Sequence, residues 1–395
     1  MDKEWNIKPS GDPEVIARLA EELNIDQVLA NLLVQRHVTT FDEARIFFRP
    51  DMAHLHDPFL MKDMDKAVAR IDIAFSQHEK ILIYGDYDVD GTTSVALVYS
   101  FMKEHYPHLD YYIPDRYNEG YGISFKGIDY AKEHGVTLII SLDCGIKAID
   151  KVEYATAKGI DFIICDHHTV GSKIPAAVAV LDPKRPDCGY PYKELSACGV
   201  GFKLVQAICI HRNIPDDNLV GFLDLVVVSI ASDIVPITGE NRILAFFGLQ
   251  QLNNTPRKGL AAIVRTSGIE NKDITVSDCV FKIGPRINAA GRIATGKKAV
   301  DLLISGDVEM AKQFSQGIDE LNEKRKNLDR QITEEALALI ELSEKQRKRK
   351  STVLFKSDWH KGVIGIVASR LTESYYRPTV ILTESNGYAT GSARS

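Results

Sequence analysis

The feature that most constrains this chain is an apolar run ending in alternating carboxylates, Ile81-Leu-Ile-Tyr-Gly-Asp86-Tyr-Asp88-Val-Asp90-Gly91-Thr-Thr-Ser94. Ile81–Tyr84 reads as a buried strand, and the glycine and hydroxyls that follow the acidic residues open a helix. Alternate residues of an extended chain point to one side, so Asp86, Asp88 and Asp90 are expected to converge on one point. Three carboxylates that close require strong positive charge between them. A divalent cation supplies it. The stretch also matches the first half of a calcium EF-hand loop. Position twelve of that loop is Leu97, where a bidentate Glu is needed, and a strand precedes it instead of a helix, so the EF-hand is rejected.

Apolar runs then alternate with helical patterns. Strands are expected at 80–84, 110–113, 137–142, 161–165 and 177–181, with helices at 93–104, 125–134 and 148–158. Continuous apolar strands with helical crossovers predict an α/β fold, a parallel sheet covered by helices on both faces. Ligands of such sheets bind beyond the carboxyl ends of the strands. The acidic stretch lies there, and two further strands end in Asp143-Cys-Gly and Asp166-His167-His168. Any one of these alone reads as a helix cap or a solvated turn; together they read as one site. A later hydrophobic stretch, 225–232, ends in Asp233, which could complete the cluster. Carboxylates with imidazole suit Mn²⁺ or Mg²⁺. The acidic groups exceed the need of one ion and suit two, bridged by a shared carboxylate. The matching chemistry is hydrolysis of a phosphoester without a Ser or Cys nucleophile.

Composition sets the outer bounds. A chain of 395 residues with 26% charged residues suggests a globular protein of two domains. No secretory signal or membrane span is expected, and six cysteines without CxxC or zinc spacing read as reduced thiols, all pointing to the cytoplasm. The net charge of −6 argues against a uniformly basic surface but leaves room for a local basic groove.

Gly85-Asp-Tyr-Asp-Val-Asp-Gly-Thr-Thr-Ser, Ser141-Leu-Asp-Cys-Gly and Asp166-His-His resemble the first three motifs of the DHH phosphoesterase superfamily, in its RecJ branch of single-strand-specific exonucleases. Further RecJ-like stretches begin at Pro114, Cys198, Ala231, Gly284, Trp359 and Gly391. The resemblance implies metal ligation by Asp88, Asp90, Asp143, His167 and Asp233, with Asp86 in or beside the coordination sphere and Asp143 bridging. It implies that His168 contacts substrate phosphate and that Asp166 orients the histidines. It also places Arg286, Asn288, Arg292, His360, Ser392, Arg394 and Ser395 on the substrate. Tyr84 stands where many superfamily relatives carry a histidine, as in the RecJ branch generally.

The expected organisation is an N-terminal helical region (1–78) packed on a DHH catalytic domain (79–306), a connecting helix (307–348) and the start of a DHH-associated α/β domain (349–395). By the resemblance, that domain would continue past Ser395 and an OB-fold would follow, so the sequence reads as a shortened form. The implied activity is 5′→3′ hydrolysis of single-stranded DNA to 5′-mononucleotides in repair and recombination. It would use two divalent ions, Mn²⁺ or Mg²⁺, in a monomer with helicase or single-strand-binding protein partners. Phosphodiesterase action on short oligonucleotides or cyclic dinucleotides, and non-catalytic single-strand binding, are the alternatives.

Overall fold

The computed structural model describes residues 4–342, 344–385 and 387–395. Strands β1 (Lys80–Gly85), β2 (Leu109–Tyr112), β3 (Val136–Leu142), β4 (Asp161–Cys165) and β5 (Ala179–Leu181) form a parallel sheet in the order β2-β1-β3-β4-β5. Ile81 and Ile83 join one core with Val95, Val98 and Leu204, while Leu82 and Tyr84 join another with Ile128 and Val152. Each face of β1 is therefore covered, which is why its sequence shows no apolar–polar alternation. The chain leaves β1 for β2 on one side and returns to β3 on the other. The crevice at such a switch point is where open α/β sheets bind ligands.

Two local expectations change. The helix after the acidic stretch begins at Val89, because Asp88 caps it: its Oδ1 accepts from Gly91 N at 3.0 Å. The hydroxyls of Thr92, Thr93 and Ser94 turn back onto the carbonyls of Asp88, Val89 and Asp90. Asp90 therefore lies on the first helical turn, and the three aspartates do not share one extended segment. Gly91 is needed there, since a Cβ would collide with the Asp86 backbone. The apolar stretch before Asp233 is a helix, Leu223–Ser232, buried nearly all round.

Helices Pro13–Leu23, Gln27–Val34 and Phe41–Phe48 enclose a small core of their own. A fully buried ion pair, Lys203–Glu240 at 2.7 Å, ties the following segment to helices Ala197–Arg212 and Gly239–Asn254. Lys203 also donates to His56 O, and Glu240 accepts from His56 N. Among the described residues no helix is long and apolar enough to cross a membrane. All six cysteines are buried and lie outside any disulfide.

The helix Val308–Glu341 has 34 residues and so runs roughly 50 Å. Its first half, through Ala311 and Ile318, packs on the main core; Ile332, Ala336 and Ile340 pack on a second lobe. There β6 (Thr352–Phe355), β7 (Thr379–Ser385) and β8 (Tyr388–Arg394) form a sheet in that order. The sequence shows β8 only as a motif. It is an antiparallel edge strand whose residues stay largely exposed, so it carries no period-two hydrophobic signal.

Candidate metal centre

The ends of β1, β3 and β4 and the C-terminus of helix Leu223–Ser232 bring the acidic groups together. Asp86, Asp88 and Asp143 form one constellation, Asp90, His167 and Asp233 a second, and Asp143, His167 and His168 a third. Within each, the ligand atoms lie within 4.8 Å of one another. Asp143 and His167 each belong to two sets, so the constellations form one continuous centre. Asp143 turns into it from a left-handed conformation, φ 62°, which Asp tolerates better than most residues. His167 Nε2 lies 3.3 Å from Asp143 Oδ1, 3.6 Å from Asp90 Oδ2 and 3.6 Å from Asp233 Oδ2. Its Nδ1 lies 3.2 Å from Leu195 O; a proton assigned to Nδ1 leaves the Nε2 lone pair facing the carboxylates.

Each carboxylate is held differently. Asp90 accepts from Ala197 N (2.8 Å), Cys198 N (2.9 Å) and Ser229 Oγ (2.7 Å), at the start of helix Ala197–Arg212. Asp86 Oδ1 accepts from Gly122 N at 3.2 Å. Asp166 accepts from His168 Nδ1 (2.8 Å), His167 N (2.8 Å) and Ile146 N (2.9 Å), so both its oxygens are occupied and it orients the histidine pair from behind.

Three buried polar atoms of this centre lack a hydrogen-bond partner: Asp86 Oδ2, Asp143 Oδ2 and His167 Nε2. Such groups are costly unless something pairs with them. Burial, then the neighbouring Asp88, pushes Asp86 up to about 8. Burial, then Asp88 and Asp90, raises Asp143 well above the carboxylate range, and burial also raises Asp88 and Asp233. Burial opposes ionisation of Asp166 too, but its bonds to His168 and to backbone N–H groups outweigh that and lower its pKa. The hydrogen bond to Asp166 raises His168. A set of carboxylates and one imidazole that stays ionised only beside positive charge fits divalent cations of the Mn²⁺ or Mg²⁺ type.

Basic groups gather beside the centre where the two lobes meet. Arg292 Nη1 donates to Gly362 O at 3.2 Å, and its backbone oxygen accepts from Tyr117. Burial, then Arg116 and Arg325, lowers Arg292 to about 10, against the opposing pull of Asp88. Burial, then Lys324 and Arg116, lowers His360. Arg116 lies 4.9 Å over the Tyr87 ring. The sequence reading does not single it out, although its Pro114-Asp-Arg motif was the available signal. Arg286 is engaged elsewhere, donating to Asp319 (2.8 Å) and to Lys282 O (2.9 Å). Asn288 is half-buried in the same helix, Gly284–Ile293. Ser392 and Arg394 flank Gly365 at the start of helix Ile364–Tyr375, and Ser395 is exposed beyond them. Among the described residues no hydrogen bond joins these three to the aspartates.

Residues 80–230 match the model of the DHH family, N-terminal domain. The chain is 40% identical over 393 residues to the single-stranded-DNA-specific exonuclease RecJ of Bacillus subtilis (strain 168), covering 99% of this chain and 49% of the relative. With the Escherichia coli (strain K12) protein of that name it shares 35% over 349 residues, 85% of this chain and 60% of the relative. The chain thus spans roughly half the length of such relatives. A crystal structure of exonuclease RecJ bound to manganese superposes with a TM-score of 0.76 at 29% identity, covering 87% of this chain and 84% of that one. The Mn²⁺ complex of RecJ from Thermus thermophilus gives 0.80 at 26%, covering 95% and 53%.

Proposed function

The chain belongs to the DHH family, in its RecJ branch, and from that premise we propose that it hydrolyses single-stranded DNA from the 5′ end, releasing 5′-mononucleotides with the help of two divalent cations. The observation that carries this is the trio of unpaired buried atoms, Asp86 Oδ2, Asp143 Oδ2 and His167 Nε2, in one continuous carboxylate centre. Asp86, Asp88 and Asp143 would hold one cation, Asp90, His167 and Asp233 the other, with Asp143 shared. Bound there, a cation pair lowers the pKa of a bridging water and neutralises charge on a phosphate oxygen.

The chain's own residues do the rest. Asp166 fixes the proton of His168 on Nδ1 and turns its other nitrogen outward, toward a substrate phosphate. Arg116, Arg292 and Arg325 offer the substrate backbone an anion-binding wall. The buried surroundings of Asp143 and His167 exclude bulk water and strengthen each of these interactions. DNA repair and recombination in the cytoplasm, as a monomer beside a helicase or a single-strand-binding protein, complete the proposed setting.

The test is digestion of one single strand labelled at its 5′ end and, separately, at its 3′ end, with Mn²⁺ and with Asp143→Ala as control. Early release of the 5′ label as mononucleotide, absent in the variant, supports the reading. Cleavage confined to two-to-five-mers would replace it with oligonucleotide turnover. Equal inactivity of both proteins would favour a binding role.

A further inference from the structure

The metal centre opens to solvent at one ligand. Asp90 and His167 are buried, whereas Asp233, the third member of their set, is exposed. Two large apolar side chains stand out from the segments that meet there. Ile234, the residue after Asp233, is 79% exposed, and Phe281 is 71% exposed.

Neither side chain is where packing alone would put it. Ile234 follows the Asp233 cap of helix Leu223–Ser232 and takes a left-handed conformation, φ 58°. Glycine usually fills that position, and a β-branched residue in it is an outlier. The loop is held on both sides of the strain. Pro236 O accepts from Tyr192 OH at 3.1 Å and from Asn241 Nδ2 at 3.0 Å, and Val235 and Ile237 pack against the main core. A fixed loop thus turns one apolar side chain out beside a ligand. Phe281 belongs to a π turn, Cys279–Ile283, a conformation that occurs mostly at functional sites.

The two segments touch. The π turn packs on helix Leu223–Ser232, and a Cβ on Gly284 would collide with the Ser232 side chain. Seven residues further, a Cβ on Gly291 would collide with Tyr87 O. Residues seven apart share a helix face. Helix Gly284–Ile293 therefore runs along the centre from its Asp233 end to Tyr87, between Asp86 and Asp88. Ile234 and Phe281 lie at the Asp233 end; Arg292 and Arg116 lie at the Tyr87 end. A strand with its scissile phosphate between the two ends meets cations on one side and an apolar pair on the other. An aromatic ring and an aliphatic side chain offer a phosphate nothing. A nucleobase, whose flat face stacks on aromatic rings, is the part of the strand that fits them.

We propose that Phe281 and Ile234 form a base-binding ledge, on which one base of the strand beside the scissile phosphate stacks. The proposal rests on the phosphodiesterase reading above and deepens it: the strand is held by a base as well as by its backbone. Every base has such a face, so the ledge takes any of the four. A base reaches it only when freed from its pair, as in a single strand.

The test compares strand affinities of the 395-residue chain by fluorescence anisotropy, with Ca²⁺ in place of Mn²⁺ to limit hydrolysis. One strand is short oligo-dT; the other has the same length and no bases. The native chain is expected to prefer oligo-dT. Phe281→Ala is expected to shrink that preference about tenfold, the effect of losing one base from an aromatic face. Ile234→Gly, which suits the left-handed backbone, is expected to shrink it by a smaller factor, and Phe281→Trp to keep it. Equal native affinity for the two strands, a preference unchanged in Phe281→Ala or in Ile234→Gly, or an equal loss for both strands would each overturn the ledge. So would a loss in Phe281→Trp as large as in Phe281→Ala. Hydrolysis of oligo-dT by the native chain with Mn²⁺ tests the parent reading separately. Its absence overturns the phosphodiesterase while the affinity ratios still decide the ledge.

Discussion

Asp88 and Asp90 stand two residues apart and are held by different means. Asp88 caps a helix and belongs with Asp86 and Asp143; Asp90, within its first turn, is gripped by the start of a second helix and belongs with His167 and Asp233. The strand periodicity that pointed to the trio was legible in the sequence. The resemblance, with its further ligands, already assigned Asp88 and Asp90 to two different ions; periodicity alone put them at one point, because their division depends on a helix beginning at Val89. Replacing Asp88 or Asp90 with Ala is expected to reduce hydrolysis to background, and Asp86→Ala to be milder; a more damaging Asp86→Ala would overturn the ranking. Asp166→Asn is expected to cost about 10–100-fold in kcat or metal affinity, since it disturbs the histidines without removing a ligand. Beside Asp233, Ile234 sits at φ 58° and is 79% exposed. A left-handed conformation costs a non-glycine residue ~1–2 kcal/mol, and glycine gives back ~0.5–1 kcal/mol as lost chain entropy. Ile234→Gly should therefore raise stability by up to ~1 kcal/mol, readable as a higher urea midpoint; a lower midpoint would mean the exposed side chain packs.

At the scale of elements, the sheet was the most legible part. β4 lies where the apolar run placed it, and β1, β2 and β3 differ by a residue at their ends. Buried parallel strands announce themselves by continuous apolar runs. The loop after β2 was opaque, because side chains from elsewhere hold it. Tyr84, marked only as the residue replacing a histidine of other superfamily members, turns its hydroxyl away from the carboxylates. It donates to Gly122 O at 3.0 Å and accepts from Ser124 N at 3.2 Å. Gly122 N in turn supports Asp86, and the same loop carries Arg116 and Tyr121. Tyr84→Phe strands two buried backbone groups, at a cost of ~1–3 kcal/mol in stability. It should also raise the substrate KM more than it lowers kcat. Unchanged kinetics would mean that the loop holds its place without Tyr84.

For the whole molecule, the metal centre is a reservoir of instability that cations relieve. Asp86 keeps its proton up to about 8, whereas an unfolded Asp loses it near about 3.9. Between those values the folded chain binds more protons than the unfolded one. Without metal the contribution of Asp86 to stability is therefore full below about pH 4 and is lost as pH rises toward about 8. Divalent cations replace those protons, so the Tm gain from Mn²⁺ should grow between roughly pH 5 and 8; a gain independent of pH would contradict this. The second lobe was legible through its 34-residue connecting helix and two of its strands. How it meets the first lobe was not, because that depends on long-range contacts such as Gly362 to the first lobe's Arg292.

A two-cation centre joined through Asp143 fixes both the number of ions bound and their magnetic coupling, which a Mn²⁺ titration of the native chain and Asp143→Ala reads by calorimetry and by EPR. Two Mn²⁺ per native chain with a spin-coupled EPR signal, lost in Asp143→Ala, is the predicted result. One uncoupled Mn²⁺ per chain, bound equally by Asp143→Ala, would contradict it.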